Sequence, residues 1–241
     1  MKIFLIIFFL FNIINSHLVK SEEILSNIIV LVDSSGSYFK PENRNNLEET
    51  LKKVNRVITK ATKILPLDMA IQFFPIKEQS IESNTICKVI FARKNLAGNQ
   101  IGEEGISKKK DLKRFLNDCT KLILKLNEGK ATDITGAIRK AVLISNSQVN
   151  KGEPRLIIIL SDFKEERALL YAKESSLSLN DFSFALIYPG QLDLDDSKQK
   201  AIEVKNYAEG LKSQLLKRGA KNIKLYLQGA EFQRKIPNDL F

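Results

Sequence analysis

The chain has 241 residues, of which 44% are hydrophobic and 27% are charged, and its formal net charge is +10. These values are ordinary for a globular protein and leave room for one sizeable core, so a single domain is expected. The only histidine, His17, lies in the segment that reads as a leader, which excludes histidine-dependent nucleophilic catalysis and histidine-rich metal sites from the folded part.

Residues 1–21 have the organisation of a secretory signal peptide. Met1 and Lys2 precede the apolar run "IFLIIFFLFNII", and the polar stretch "NSHLVKS" follows it. We expect cleavage after Ser21, with Ser16 as the second choice. An uncleaved anchor is the alternative, but the run is shorter than the roughly 20 residues that span a bilayer. The expected location is secreted or periplasmic, with no membrane span in the mature chain.

After the leader, short apolar runs alternate with amphipathic stretches. Strands are predicted at 24–32, in "LDMAIQFFPI", in "CKVIFARKN" at a sheet edge, and in "EPRLIIIL", "FSFALIYP" and "NIKLYLQG". Helices are predicted from Pro41 to about Leu65, at 110–126, from "TDITGAIRKAVLI" onward, and at 196–218 before Gly219.

This alternation predicts the fold class. Strands separated by helices need crossover connections, so the sequence predicts a three-layer α/β fold with a mostly parallel sheet. The expected domain covers residues 22–229. Residues 230–241 read as a short helix or a tail.

The two cysteines allow two interpretations. Cys87 and Cys119 could form a disulfide in an exported chain, which would be worth roughly 3–4 kcal/mol. Cys119 also has the helical spacing of a core residue, in register with Leu112, Phe115, Leu116, Leu122 and Ile123.

Hydroxyls and carboxylates follow two of the apolar runs. In "DSSGS" an extended backbone places Asp33, Ser35 and Ser37 on one side, and "LIIIL" is followed by Ser161 and Asp162. If these strands are parallel neighbours, both carboxylates emerge at the carboxyl edge of the sheet. Thr132 in "ATDITGA" is the fifth candidate oxygen donor. Five oxygen ligands favour a hard cation such as Mg²⁺ or Mn²⁺, whose remaining positive charge would attract an anionic ligand.

At these residues the sequence resembles the von Willebrand factor type A (vWA) domain with its metal-ion-dependent adhesion site. The resemblance rests on Asp33, Ser35 and Ser37, on Thr132 before a helix, and on Asp162 after a central strand, and it covers roughly residues 24–229. It implies a Rossmann-like fold with one antiparallel edge strand, and metal coordination completed by a Glu or Asp of a partner. Phe163 stands where the family usually has a small residue. Two alternatives stay open, with Thr135 in the threonine role or Thr132 as a helix N-cap.

The predicted function is binding rather than catalysis. A phosphatase-like D-x-D site would need an acid where Ser35 stands. The alternative is a structural or assembly subunit of an envelope, secretion or pilus complex, and a metal-dependent hydrolase is the weakest option. Cleavage after Ser21 removes Lys2 and Lys20 and no acid, which lowers the charge from +10 to +8.

That charge favours an acidic protein partner, although lysine-rich faces are more often simply solvated. The densest basic run, "SKKKDLKR", has no aromatic residue among its charges, so no nucleic-acid partner is expected.

Overall fold

The structure is a computed structural model that describes residues 26–35, 41–62, 69–91, 101–127, 129–150, 152–165, 177–189 and 197–227. The predicted leader, Ser37 and the predicted tail lie outside these ranges. Within them, none of the helices combines the length and the apolarity that a membrane crossing requires.

The described ranges form one six-stranded sheet. In chain order the strands are β1 (Ser26–Asp33), β2 (Met69–Ile76), β3 (Cys87–Phe91), β4 (Arg155–Leu160), β5 (Phe182–Ile187) and β6 (Asn222–Tyr226). Their order in space is β3-β2-β1-β4-β5-β6. All neighbours are parallel except β2 and β3, which are antiparallel. The predicted α/β class and the antiparallel edge strand are therefore confirmed.

Among the described residues, four helices connect the strands. They are α1 (Pro41–Ala61), α2 (Ile101–Ile123), α3 (Ile134–Gln148) and α4 (Ser197–Lys217), and a short 3₁₀ turn at Ser80–Glu82 lies between β2 and β3. Pro41 is the first residue of α1, where its missing N–H costs nothing. Gly219 adopts a φ of 91° just after α4, a conformation that suits glycine at a helix end.

The central strands are buried on both faces. Every residue of β1, β2 and β4 is buried, as expected for parallel strands covered by helices on both sides. The buried stripe predicted for α1 is confirmed at Leu47, Leu51, Val54, Val57, Ile58 and Ala61. The strands and α1 therefore share one apolar core.

Helix α2 differs from its prediction. It begins at Ile101 rather than near residue 110, because the apolar periodicity that signals a helix starts only at Leu112. It ends at Ile123, and Leu122, predicted to share the buried stripe, is 47% exposed because Ile123 takes the core position.

Both interpretations of the cysteines hold together. Cys87 and Cys119 form a disulfide that joins the edge strand β3 to α2, and Cys119 is also buried in the core.

Candidate functional site

The site begins where β1 and β4 end side by side. The parallel register pairs Val32 with Leu160, so the next residues, Asp33 and Ser161, leave the sheet as neighbours. The Ser161 hydroxyl donates a hydrogen bond of 2.6 Å to Oδ2 of Asp33, and both residues are buried. The carboxyl edge of the central strands therefore carries a buried carboxylate held by a hydroxyl.

The other oxygen of Asp33 is held by its own loop. The backbone N–H of Ser35 donates to Oδ1 at 2.9 Å. Burial raises the pKa of Asp33 from 3.8 to about 6, the hydrogen bonds from Ser161 and Ser35 oppose that rise, and the nearby charge of Asp162 adds to it. A carboxylate in this position gains stability from any cation that reaches it.

Asp162 lies beside Asp33 in a tight loop. Its Oδ1 accepts the backbone N–H of Lys164 at 3.0 Å, and the Ser161 hydroxyl accepts that of Phe163 at 2.9 Å. Asp162 is only partly buried, so one carboxylate of the pair is enclosed and the other is open to solvent.

Phe163 adopts an unusual backbone conformation in this loop. Its φ of 63° lies in the left-handed region that disfavours residues with a Cβ, and its side chain is buried. Only glycine would meet this backbone requirement without strain, whereas this chain places a buried phenyl ring here.

The segment before α3 runs next to Ser35. Gly129 forms a parallel bridge with Ser35, and its N–H donates to the carbonyl oxygen of Ser34 at 2.6 Å. Thr132, three residues further along this segment, is 2% exposed. The structure therefore brings the strand that carries Asp33 and the segment that carries Thr132 to the same edge.

Asp133, and not Thr132, is the N-cap of α3. Its Oδ1 accepts the N–H of Gly136 at 2.8 Å, and its Oδ2 accepts the N–H of Ser80 at 3.1 Å. The interpretation of Thr132 as the N-cap is therefore wrong, because the first helical turn starts one residue later than that role requires. Gly136 is needed here, since a Cβ at this position would overlap the Asp133 carboxylate.

Thr135 has a different partner. Its backbone N–H and its hydroxyl donate to the two carboxylate oxygens of Glu165, at 2.8 and 2.9 Å. Burial raises the pKa of Glu165, and the two bonds from Thr135 oppose that rise. Glu165 thus ties the loop after β4 to the first turn of α3, and no sequence pattern predicted this contact between residues 30 positions apart.

The predicted site residues differ in how closely the structure joins them. Asp33 contacts Ser35 and Ser161 directly, Asp162 acts on Asp33 through its charge, and Thr132 lies on the segment beside Ser35. Within the described residues there is no group of three or more Asp, Glu, His or Cys side chains that could hold a metal ion. A cation at this edge would therefore need the hydroxyls as well as the two carboxylates.

Solved structures of other proteins share this fold. A von Willebrand factor type A protein from Catenulispora acidiphila aligns with 89% of this chain and 41% of its own, with a TM-score of 0.50 and 10% identity. The ArnB paralog VWA2 from Sulfolobus acidocaldarius aligns with 90% of this chain and 45% of its own, with a TM-score of 0.50 and 15% identity. Proximal thread matrix protein 1 from the mussel byssus aligns with 89% and 46%, with a TM-score of 0.51 and 14% identity.

The chain spans less than half the length of each of these three proteins. No protein-family model and no curated protein matches the sequence. The structural likeness shows the fold alone, and that fold is the mostly parallel, Rossmann-like sheet of the vWA domain.

Proposed function

We propose that this protein, which has the vWA fold, binds a divalent cation at the carboxyl edge of β1 and β4 and uses it to hold an acidic side chain of a partner protein. The observation that carries the proposal is the buried carboxylate of Asp33. The pKa of Asp33 is set by its burial, by its hydrogen bonds from Ser161 and Ser35, and by the charge of Asp162. None of these groups carries a positive charge. A bound metal would supply the missing positive charge.

The donor set fits a hard cation. The proposed ligands, directly or through water, are the oxygens of Asp33, Ser35, Ser37, Thr132 and Asp162, and such oxygens suit Mg²⁺ or Mn²⁺. Two carboxylates balance the formal charge of a divalent ion, but five oxygens leave one position of an octahedral Mg²⁺ open, and a carboxylate from outside could fill it. The cation's contribution is electrostatic attraction, while the chain positions the oxygens.

Binding explains the site better than catalysis does. Residues 18–241 contain no histidine, and Ser35 stands where a D-x-D phosphotransfer site would have its second acid. Both oxygens of Asp33 accept hydrogen bonds, from Ser161 and Ser35, so the carboxylate is held rather than presented as a free nucleophile. A rigid carboxylate suits a ligand position.

We also propose that residues 1–21 direct export and that the mature protein is secreted or periplasmic. The Cys87–Cys119 disulfide supports this, because disulfides persist mainly in oxidising compartments. Mass spectrometry of the protein recovered from its native compartment would test it, and a protein that still carries Met1 would contradict cleavage.

The metal proposal is tested by calorimetric titration of the purified protein with Mg²⁺ and Mn²⁺ after removal of metal with EDTA. Wild type should bind one ion, and Ser35→Ala and Asp162→Ala should each weaken binding by about tenfold or more. Asp118→Ala is the matched control, since it removes an exposed carboxylate from α2 and should leave binding unchanged.

The titration also distinguishes metal-dependent partner binding from a role as a structural or assembly subunit. If wild type binds metal and a partner is captured from the native extract only without chelator, the adhesion-type function is supported. Wild type that binds no Mg²⁺ or Mn²⁺ would overturn the metal proposal and favour a permanent structural or assembly subunit.

A further inference from the structure

A second surface of the molecule carries a concentration of positive charge that the metal site does not use. Helices α1 and α2 pack side by side, and a cavity of about 600 Å³ opens between them. Five cationic side chains line it, namely Lys52, Lys53, Arg56 and Lys60 from α1 and Lys113 from α2. Within the described residues, no carboxylate lines the cavity.

Neighbouring acids compensate this charge only in part. Lys52 and Lys53 pair with Glu48 and Glu49 one helical turn earlier, at 2.6 and 2.7 Å. The Lys52–Glu48 pair is exposed and contributes little, so Lys52 can still attract an anion, whereas the Lys53 side chain is only 15% exposed. Lys60 and Lys113 are exposed, and no ion pair involves either of them among the described residues.

The floor of this groove is apolar and rigid. Val57 and Leu116 line it and are themselves buried against the core. Asn55 joins the two helices at its base, where its side-chain amide donates to the carbonyl of Leu116 at 3.3 Å and to the hydroxyl of Thr120 at 3.0 Å. The disulfide at Cys119 further fixes α2 to the sheet. The groove is therefore formed before any ligand arrives.

Basic side chains continue beyond the groove on α2. Lys113 also borders an adjoining shallow depression that is lined by Lys110, Arg114 and Lys121. Two acids, Asp111 and Asp118, lie on the same helix and pair with Arg114 and Lys121. Four basic residues of this part of α2 outnumber its two acids, so the surface remains positive and extends the groove.

We propose that the groove between α1 and α2 docks an acidic segment of a partner protein that also carries apolar side chains. The five cations match the acidic side chains, and the Val57 and Leu116 floor matches the apolar ones. Among the residues that the structure describes, no aromatic side chain lines the groove, so nucleic-acid bases would have nothing there to stack on. A sulfated glycan would leave the apolar floor unused.

The groove is separate from the proposed metal site. Lys52 to Lys60 lie in the second half of α1, whereas the loop that carries Ser35 precedes its first residue. The docking proposal therefore stands without the metal and can be tested in its absence.

The test uses fluorescence anisotropy with the purified protein in EDTA at low ionic strength. The probe is a labelled peptide of alternating Glu and Leu, and the comparison ligands are a Gln and Leu peptide, a heparin oligosaccharide and a short single-stranded DNA. The groove variant combines Lys60→Glu with Lys113→Glu. The matched control combines Lys200→Glu with Lys205→Glu, which makes the same charge change at two exposed positions of α4.

The groove variant should lose about tenfold or more in affinity for the Glu and Leu peptide, while the α4 variant stays within about twofold of wild type. The Gln and Leu peptide should bind at least about tenfold more weakly than the acidic one.

Equal losses in the two variants would mean that only net charge matters, and would overturn the proposal. Heparin or DNA that binds as tightly as the peptide would overturn it in favour of a general polyanion surface. Melting temperatures confirm folding, and Lys60→Gln with Lys113→Gln serves as a milder variant if charge reversal impairs it.

Discussion

The Ser161 hydroxyl donates a hydrogen bond to the Asp33 carboxylate across two neighbouring parallel strands, and at 2.6 Å it is shorter than the 2.9 Å bond from the Ser35 N–H. The same hydroxyl accepts the N–H of Phe163. Ser161 therefore links the end of β1 to the loop that carries Asp162. This link holds the loop that carries Asp162 against the Asp33 carboxylate.

Replacing Ser161 should destabilise the protein. Ser161→Ala removes a buried donor to a charged group and leaves the Phe163 N–H without its acceptor, so the free energy of unfolding should fall by about 1.5–3 kcal/mol at pH 7. Urea denaturation in EDTA measures this. Ser147→Ala, which removes an exposed hydroxyl from α3, should change stability by less than about 0.5 kcal/mol. In an Asp33→Asn background the cost of Ser161→Ala should be smaller, and an unchanged cost would show that the bond to Asp33 contributes nothing.

Asp33 should make the metal-free protein less stable as the pH rises. Its pKa is about 6 in the folded chain against 3.8 for the unfolded group, so the folded chain binds this proton more tightly. The stability from this group is therefore present below about pH 4 and is lost as the pH rises towards 6.

Asp33→Asn cannot ionise, and it should raise the free energy of unfolding at pH 7 by roughly 3 kcal/mol. At pH 4 it should change little. Denaturant unfolding in EDTA across this pH range checks both values, and a variant less stable than wild type at pH 7 would contradict the burial argument.

The N-cap of α3 can be tested by replacing two helical glycines, Gly136 and Gly210, with alanine. Gly136→Ala should destabilise the protein although alanine favours helices, because its Cβ would overlap the Asp133 carboxylate and break the bonds to Gly136 and Ser80. The expected loss is about 1–2 kcal/mol. Gly210 lies inside α4 with open space where a Cβ would be placed, so Gly210→Ala should stabilise the protein by about 0.5–1 kcal/mol. Thermal unfolding of both variants measures the difference, and the same sign for both would refute the N-cap argument.

The sequence predicted the layers of this fold because burial on both faces leaves a visible pattern. The runs "NIIVLV" and "LIIIL" are apolar without interruption, which is typical of central parallel strands, and the structure places them side by side. That placement also brings Asp33 to Ser161. The serine was visible at the strand end, but its bond to Asp33 depends on the strand register, which composition alone does not fix.

Other site contacts were not predictable in the same way. Thr132 and Asp133 are both good N-cap residues, and the choice depends on where the first turn of α3 starts. Glu165 reaches Thr135 from a loop 30 positions away, and its own neighbours in the sequence carry no periodic signal. The helix that begins at Ile101 lacks an apolar stripe in its first turns, so the periodicity indicated only its later part.

The disulfide should contribute a large share of the stability. Cys87 and Cys119 are 32 positions apart, and a crosslink that closes a loop of this length is worth about 3–4 kcal/mol in the chain-entropy model. The double variant Cys87→Ser with Cys119→Ser should lose about this amount or more, since Cys119 is also buried. Guanidine denaturation measures the loss, and mass spectrometry before and after reduction verifies the bond. Wild type should lose stability on reduction while the double variant is insensitive to the reductant.

At position 163 we expect the glycine variant to be more stable than the alanine variant, which is the reverse of the usual order. Both Phe163→Ala and Phe163→Gly lose the buried ring, but only glycine adopts a φ of 63° without a steric penalty from a Cβ. Phe163→Gly should therefore be more stable than Phe163→Ala by about 1–2 kcal/mol. At Leu215, buried in α4, the order should be the normal one, with Leu215→Ala more stable than Leu215→Gly by about 1 kcal/mol. Denaturant unfolding of the four variants measures both differences. A Phe163→Ala variant more stable than Phe163→Gly would show that the backbone at position 163 is not left-handed. The loop geometry that positions the Asp162 carboxylate would then differ from the one described.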